Sequence, residues 1–570
     1  MKRHFNFLVL AIVSTATLLV SCTSIAPSSK SGITGGELAS LQCAALAGTS
    51  IAADQIGASA GLKSGIALVD SATWTAATPL ALSAGPMPEA MVLPATPEFC
   101  KVLGHIKPVD PAAPSINFQV NLPKVWNGRS FQHGGGGFNG VLVNGLAQVR
   151  GAPFDKPAPL ALGFATVGTD SGHQNKPGVP IQEFATNEES FINFAHASYK
   201  KVRDVSAALM KAAYGKSPEK MYFGGSSEGG REAITMAQRY PTDFNGVIAR
   251  VPVINWTGLM HIGITNGLPI MHNDATGGWI NAAQTKQVHD AVLIACDALD
   301  GLKDGIVGDP VACRAKLDIN TLPLSAAKIA AIKTLHSPLT YPFPLANGVM
   351  HYPARGPSAE ALPTLGVNGP MGGWGSWWTG AAPTSFPTRP DNRSWDYSVG
   401  AIQHIYMQKP KATWEDIQNY KMQDYRARVE YVSNLMDATN PDLSAFNAAG
   451  GKLILMEYMG DYAQSPYAGI EYFESVQRKM GADKVAGFAK LYAVPGVDHV
   501  GSGAPSTADI FTALTAWAER GIAPSGLVLY EHERALPLTA FRSRPMCEWP
   551  AVARYKGGNE NNASNFVCEK

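Results

Sequence analysis

The sequence predicts an α/β core interrupted by one long insertion, and three observations carry that prediction. Residues 220–254 read as a short buried strand "KMYFGG", a turn "SSEGG", a helix "REAITMAQRYP" halted by Pro241, and a second strand "FNGVIARVPV". The same texture returns after residue 448, as strand "GKLILME", helix "AGIEYFESVQRKMG", strand "GFAKLYAVPG" and helix "ADIFTALTAWAERG". Between them the chain changes character. Residues 255–447 are rich in Trp, Pro, Gly and Asn, with "MGGWGSWWTGAAPTSFPTRPDNRSW" as the densest patch, and read as an inserted domain rather than as more sheet.

Taken in order, the N-terminus is an address. Lys2, Arg3 and His4 precede "FNFLVLAIVSTATLLV", a run too short to span a bilayer comfortably, so a signal peptide over residues 1–22 is expected. It ends in "LVSC", the form of a bacterial lipoprotein cleavage box with Cys22 as the lipidated residue; ordinary secretory cleavage slightly downstream is the alternative. Residues 23–36, rich in Ser and Gly, read as a flexible tether. Six cysteines remain, and an even count in an exported chain favours disulfides over metal thiolates. They fall into local couples, giving Cys43–Cys100, Cys296–Cys313 and Cys547–Cys568. No CxxC spacing appears, which argues against zinc or a redox dithiol.

The 570 residues suit one large α/β domain with a big insertion, or two to four domains by length alone. A net charge of +1 gives no reason to expect nucleic acid as a partner, and 57 Gly with 40 Pro imply the turns and long loops of an elaborated enzyme. From Ile116 the text reads strand, loop, strand and then the Gly-rich "HGGGGFNG". "ALGFATVGTDSGH" supplies a further strand, and "FAHASYKKVRDVSAALMKAAYG" a helix that Gly215 stops.

The frame Gly225-Ser226-Ser227-Glu228-Gly229 sits between strand and helix, the setting of an α/β-hydrolase nucleophile elbow, and picks out Ser227. "GASAG" at Gly57 to Gly61 fits the same frame but lacks a strand and useful partners, so context decides for Ser227. A nucleophile needs a base and an orienter, in the chain order Ser, Asp, His on this fold. His499 follows one late strand and Asp461 the strand before it. His173, beside Asp170, is the rival, but it precedes Ser227 and is expected to be structural. An oxyanion hole would take one N–H from Glu228 and one from the glycine loop His133 to Gly140. In "CDALDGLKDGIVGDP", Asp297, Asp300 and Asp304 would repel one another unless a cation joined them, and oxygen donors suit Ca²⁺. The spacing is not that of an EF-hand, and a solvated acidic turn is the competing reading.

At "WNGRSFQHGGGGFNG", "GGSSEGGRE", "CDALDGLKDGIV", "GGWGSWW" and "ARYKGGNENNASNFVCEK", the chain resembles the tannase/feruloyl esterase family over nearly all its mature length. The resemblance implies Ser227, Asp461 and His499 as the catalytic triad, with the N–H groups of Gly137 and Glu228 as oxyanion donors. It implies a lid calcium on the Asp297, Asp300 and Asp304 side chains with the Leu302 and Ile306 carbonyls. Trp377 would pack on an aromatic acyl group, with Gly136 also at the substrate. Arg389 would take a substrate carboxylate or else be a solvated loop charge; Arg393 lies nearby in the same stretch. One departure stands out. The family usually joins a cysteine before the nucleophile to one after the histidine, and here those positions hold Ser226 and Val500. A more mobile or less heat-tolerant site is expected.

The expected organisation is therefore an α/β-hydrolase core over residues 37–254 and 448–570, with a lid over 255–447. The expected function is an exported bacterial serine esterase, in the outer membrane, periplasm or medium, acting on a small ester of an aromatic acid. The terephthalate monoester type comes first and plant phenolic esters are the alternative. No organic cofactor, no nucleic acid, no membrane contact beyond a lipid anchor and a monomeric state are expected. A non-catalytic binding lipoprotein on the same fold is the remote alternative.

Overall fold

The computed structural model describes residues 35–83, 92–272, 277–362, 373–383 and 391–570; the expected signal peptide, Cys22 and Arg389 lie outside them. A ten-stranded mixed sheet organises the chain. In chain order its strands are β1 (Ser50–Ile51), β2 (Ala67–Thr75), β3 (Phe99–Ile106), β4 (Ile116–Pro123), β5 (Arg129–His133), β6 (Ala165–Thr169), β7 (Lys220–Ser226), β8 (Gly246–Arg250), β9 (Lys452–Tyr458) and β10 (Ala489–Val494). Their spatial order is β10-β9-β8-β7-β5-β6-β4-β3-β2-β1. The six from β10 to β6 are mutually parallel, and the four from β4 to β1 add on antiparallel.

The parallel strands carry near-continuous apolar runs because both faces are covered. Alternation sends Met221, Phe223, Val247, Ala249, Leu453 and Leu455 into one core. Tyr222, Ile248, Ile454 and Met456 enter the core on the other side. Helices α1 (Ser198–Tyr214) and α2 (Glu228–Arg239) cover the first face. Gly215 ends α1 in the left-handed region at φ 76°, a conformation glycine takes without penalty. A helix over Ile510–Arg520 packs Ile510, Phe511 and Leu514 into the second face.

The segment between β8 and β9 contributes no strand to this sheet. It is mainly helical and builds its own core around Trp256, Trp374, Trp377, Trp378, Trp395 and Tyr406. All three expected disulfides form: Cys43–Cys100, Cys296–Cys313 and Cys547–Cys568. "GASAG" is a 3₁₀ turn over Ala58–Ala60, away from any strand-to-helix elbow. Helix α2 starts at Glu228, earlier than its apolar spacing indicated, because the turn residues themselves begin the helix.

Candidate active site

Ser227 stands between β7 and α2 with φ 61° and ψ −121°, a backbone state that a serine adopts only under constraint. The constraint is visible. Its N–H donates to the Arg250 carbonyl (3.0 Å), and its carbonyl accepts from Val253 N (3.2 Å) and Arg231 N (3.1 Å). The flanking glycines are required by close backbone approach. A Cβ on Gly225 would lie 2.4 Å from the Gly229 carbonyl, and one on Gly229 would lie 2.6 Å from the Gly135 oxygen. The turn and the glycine loop are therefore packed backbone to backbone.

That loop follows β5 and is held from below by a residue that sequence reading missed. Glu232, one turn into α2 and fully buried, accepts from Gly135 N (2.9 Å) and from Asn139 Nδ2 (2.7 Å). Asn139 Oδ1 in turn accepts from Gly136 N (2.6 Å). Burial pushes the Glu232 carboxyl upward, opposed by the Arg231 guanidinium and by these hydrogen bonds. Arg231 is itself buried and paired with Glu228 Oε1. The signal was present in "EGGRE", where Glu228 and Glu232 flank Arg231, but a charged helix face normally reads as solvated. Gly137 lies at the loop tip with φ 60°. Among the described residues, neither its N–H nor that of Glu228 is donated to another group.

Asp461 follows β9 and His499 follows β10, both at strand carboxyl ends. His499 Nδ1 lies 2.6 Å from Asp461 Oδ2, while Asp461 Oδ1 accepts from Ala463 N (2.8 Å) and Gln464 N (3.1 Å). Such a carboxylate is fixed in place and orients the imidazole. Asp498 does not compete for that role. Its Oδ1 accepts from Val500 N (3.0 Å) and Ser502 N (2.8 Å), and burial pushes its pKa up to about 7. His173 is structural, with Nε2 2.7 Å from the Phe138 carbonyl and its ring stacked on Phe184; burial lowers its pKa to about 4.

Ser227, His499, Gly137 and Glu228 line one pocket. Its walls are Phe138, Val253, Trp256, Leu259, Met260, Trp377 and Tyr397, with Ala463 and Gln464 completing the lining. Trp377 stands edge to face on His499, ring centroids 5.6 Å apart. Tyr397 packs edge to face on Phe138, and its hydroxyl lies 3.1 Å from where a Cβ on Gly137 would be. Burial raises the Tyr397 pKa and Arg393 at its hydroxyl opposes that. Apart from Trp377, the inserted walls could not be read from local sequence, since helices distant in the chain deliver them.

At the two positions where cysteines were expected, Ser226 Oγ accepts from Arg250 Nε (3.0 Å) and Val500 is packed in the interior. A hydrogen bond and packing stand where a disulfide would be. In the acidic turn, Asp297 Oδ1 accepts from the N–H groups of Asp304 and Gly305, and Asp304 Oδ2 pairs with Arg544 Nη2 at 2.5 Å. Among the described residues, no three His, Cys, Asp or Glu side chains converge as a ready metal cage.

The sheet, its order and the serine turn at its centre define an α/β-hydrolase fold of the esterase type. Residues 100–569 match the tannase and feruloyl esterase family, and the chain belongs to that family of esterases. It is 34% identical to an uncharacterized esterase of Agrobacterium fabrum over 98% of both chains. It is 31% identical to the mono(2-hydroxyethyl) terephthalate hydrolase of Piscinibacter sakaiensis over 88% of both. Among solved structures, an esterase from Aspergillus oryzae superimposes with a TM-score of 0.73 at 21% identity, over 93% of this chain and all of that one. Feruloyl esterase B from the same organism gives 0.70 at 24%, over 88% and 97%. At these identities the structural likenesses speak for the fold.

Proposed function

We propose that the protein is a serine ester hydrolase for esters of aromatic carboxylic acids, with terephthalate monoesters as the leading substrate class. The observation that carries this is the single pocket in which Ser227, His499 and two undonated N–H groups meet under the aromatic roof of Trp377. Ser227 Oγ attacks the ester carbonyl as its proton passes to His499 Nε2, while Nδ1 donates to Asp461. The developing oxyanion accepts from Gly137 and Glu228 N–H, a donor of this kind lowering the barrier by about 3–4 kcal/mol. The alcohol leaves with the proton from His499. Water, activated by the same ring, then releases the acid. Phe138, Trp256, Leu259 and Met260 give the flat apolar walls that an aryl acyl group needs.

Plant phenolic esters form the second reading, favoured by the family match and by a 27% identical probable feruloyl esterase of Arthroderma benhamiae. Side-by-side kcat/KM values for a terephthalate monoester, methyl ferulate, methyl gallate and a neutral benzoate ester separate the two. Equal rates on all four would sink the terephthalate assignment. Inactivation by an aryl phosphonate that leaves Ser227 unlabelled would sink the mechanism.

The turn Asp297 to Ile306 is proposed to hold calcium through Asp297, Asp300 and Asp304 with the Leu302 and Ile306 carbonyls. Its donors are all hard oxygens, and burial with repulsion from Asp304 pushes the Asp300 pKa up to about 6. A thermal midpoint indifferent to both chelator and added Ca²⁺ would remove the ion from this account. Export with lipidation at Cys22 is the companion proposal, supported by the three disulfides; the mass of the mature N-terminus tests it.

A further inference from the structure

The inserted segment contains a second pocket, remote in its lining from the first. Val288, Val292, Leu317, Ile319, Leu322 and Ile332 make its apolar wall. Arg355 lines it too, and this side chain is only 1% exposed. None of its three guanidinium nitrogens has a hydrogen-bond partner among the described residues. The guanidinium lies over the Trp378 ring at 4.5 Å and near that of Tyr352 at 5.9 Å. Aromatic faces soften the burial of a cation but offer no acceptor for its planar donor fork. A buried donor set left open in this way is rare in folded proteins.

The neighbouring groups do not fill that need. Glu360 also lines the pocket, but its oxygens are taken. Oε1 accepts from Ser358 N and Tyr462 Oη, and Oε2 lies against His289 Nδ1, each at 2.9 Å. His336 directs Nδ1 at the Arg355 carbonyl (3.1 Å), and burial lowers its pKa. Arg314, solvent-exposed, adds a second positive charge to the lining.

We propose that this pocket is a binding site for a small monocarboxylate with an apolar body, whose carboxylate pairs bidentately with the Arg355 fork while its body lies on the aliphatic wall. The site is separate from the pocket of Ser227, and Trp378 lies between their surroundings. Trp378 beneath Arg355 donates from Nε1 to the Tyr462 carbonyl (3.0 Å), next in the chain to Asp461, and its neighbour Trp377 roofs the first pocket. Two sources of such a ligand exist, an aromatic acid such as an ester product and an aliphatic acid.

Calorimetric titration of the full protein with benzoate and with hexanoate, against benzamide and hexanol, tests the proposal. At least one acid is expected to bind and the neutral analogues are not; which acid binds more tightly identifies the source. Arg355→Met is expected to weaken that binding about tenfold or more, as loss of hydrogen bonds to a charged partner does. Ile319→Trp, which fills the pocket and keeps Arg355, is expected to abolish it and covers the case in which Arg355→Met fails to fold. Acid binding of wild-type strength in either folded variant would overturn the proposal, as would no acid binding to the wild type or equal binding of the neutral analogues. Ester hydrolysis is not the readout, so a failure here leaves the assignment of Ser227 untouched.

Discussion

Gly229→Ala is expected to lower kcat by about two orders of magnitude in a protein that still folds. The added Cβ would fall 2.6 Å from the Gly135 carbonyl oxygen, whereas ordinary van der Waals contact begins near 3.4 Å, so the two backbones must part by 3.4 − 2.6 = 0.8 Å. Neither partner yields easily. Gly134 N is bonded to the Gly224 carbonyl (2.9 Å), and Gly135 N to Glu232. The separation is therefore passed to the loop tip carrying Gly137 or to the helix start carrying Glu228, the two proposed oxyanion donors. A displacement approaching 1 Å at a reacting centre costs about 10²-fold in rate. The stability cost of such overpacking is about 1–3 kcal/mol. Steady-state kinetics on an activated aryl ester, with urea unfolding on the same preparation, read both quantities. Because the donors act chiefly in the transition state, kcat is expected to fall and KM to stay near its wild-type value. A folded variant with kcat within threefold of wild type, or with KM alone altered, would refute this reasoning.

Four further outcomes are expected. Asp461→Asn leaves the His499 ring in place but favours the wrong tautomer, and kcat should fall about 10⁴-fold; a loss under tenfold would demote Asp461 from orienter. Ser226→Ala removes the acceptor of Arg250 Nε, and urea unfolding should show a loss of about 1–3 kcal/mol. Ser226→Cys with Val500→Cys, once a bond is verified, should raise the temperature at which activity is lost; an unchanged inactivation curve would count against a mobile site. Asp498 has a folded pKa of about 7, above its ordinary 3.8, so the folded state holds its proton more tightly than the unfolded chain. Its contribution is full below about pH 4 and is lost as pH rises toward 7, by a few kcal/mol at most. Asp498→Asn should flatten that slope in chemical denaturation between pH 4 and 7, and an unaltered slope would show that another group titrates.

The elements of the candidate site were legible where local pattern and tertiary role coincide. β7, β8, β9 and β10 are buried on both faces, so their apolar runs stand out, and Ser227, Asp461 and His499 lie in the turns that follow three of them. Of the antiparallel end of the sheet only β4 was read. β1 has two residues, and β2 is partly exposed, so neither carries a strong periodic signal. Glu232 and Arg355 escaped for a different physical reason. A charged residue in a sequence window reads as solvent-facing, and only the packed structure shows that one holds the glycine loop and the other lacks an acceptor. The walls supplied by Trp256, Leu259 and Tyr397 escaped because they are juxtaposed by helix packing rather than by spacing along the chain.

The inserted segment leaves the sheet after β8 and rejoins it at β9, and these two strands are parallel neighbours in continuous register from Gly246↔Lys452 to Arg250↔Met456. A parallel pair needs only one ordinary crossover helix to connect it. The whole insertion thus occupies the place of a single connecting helix, and the strands on either side do not depend on its internal layout for their pairing. Ser227 lies before that junction and Asp461 and His499 after it, on strands that would align with any connection long enough to cross. The walls that the insertion brings to the pocket and the side chains that follow the sheet strands thus belong to separable parts of the chain.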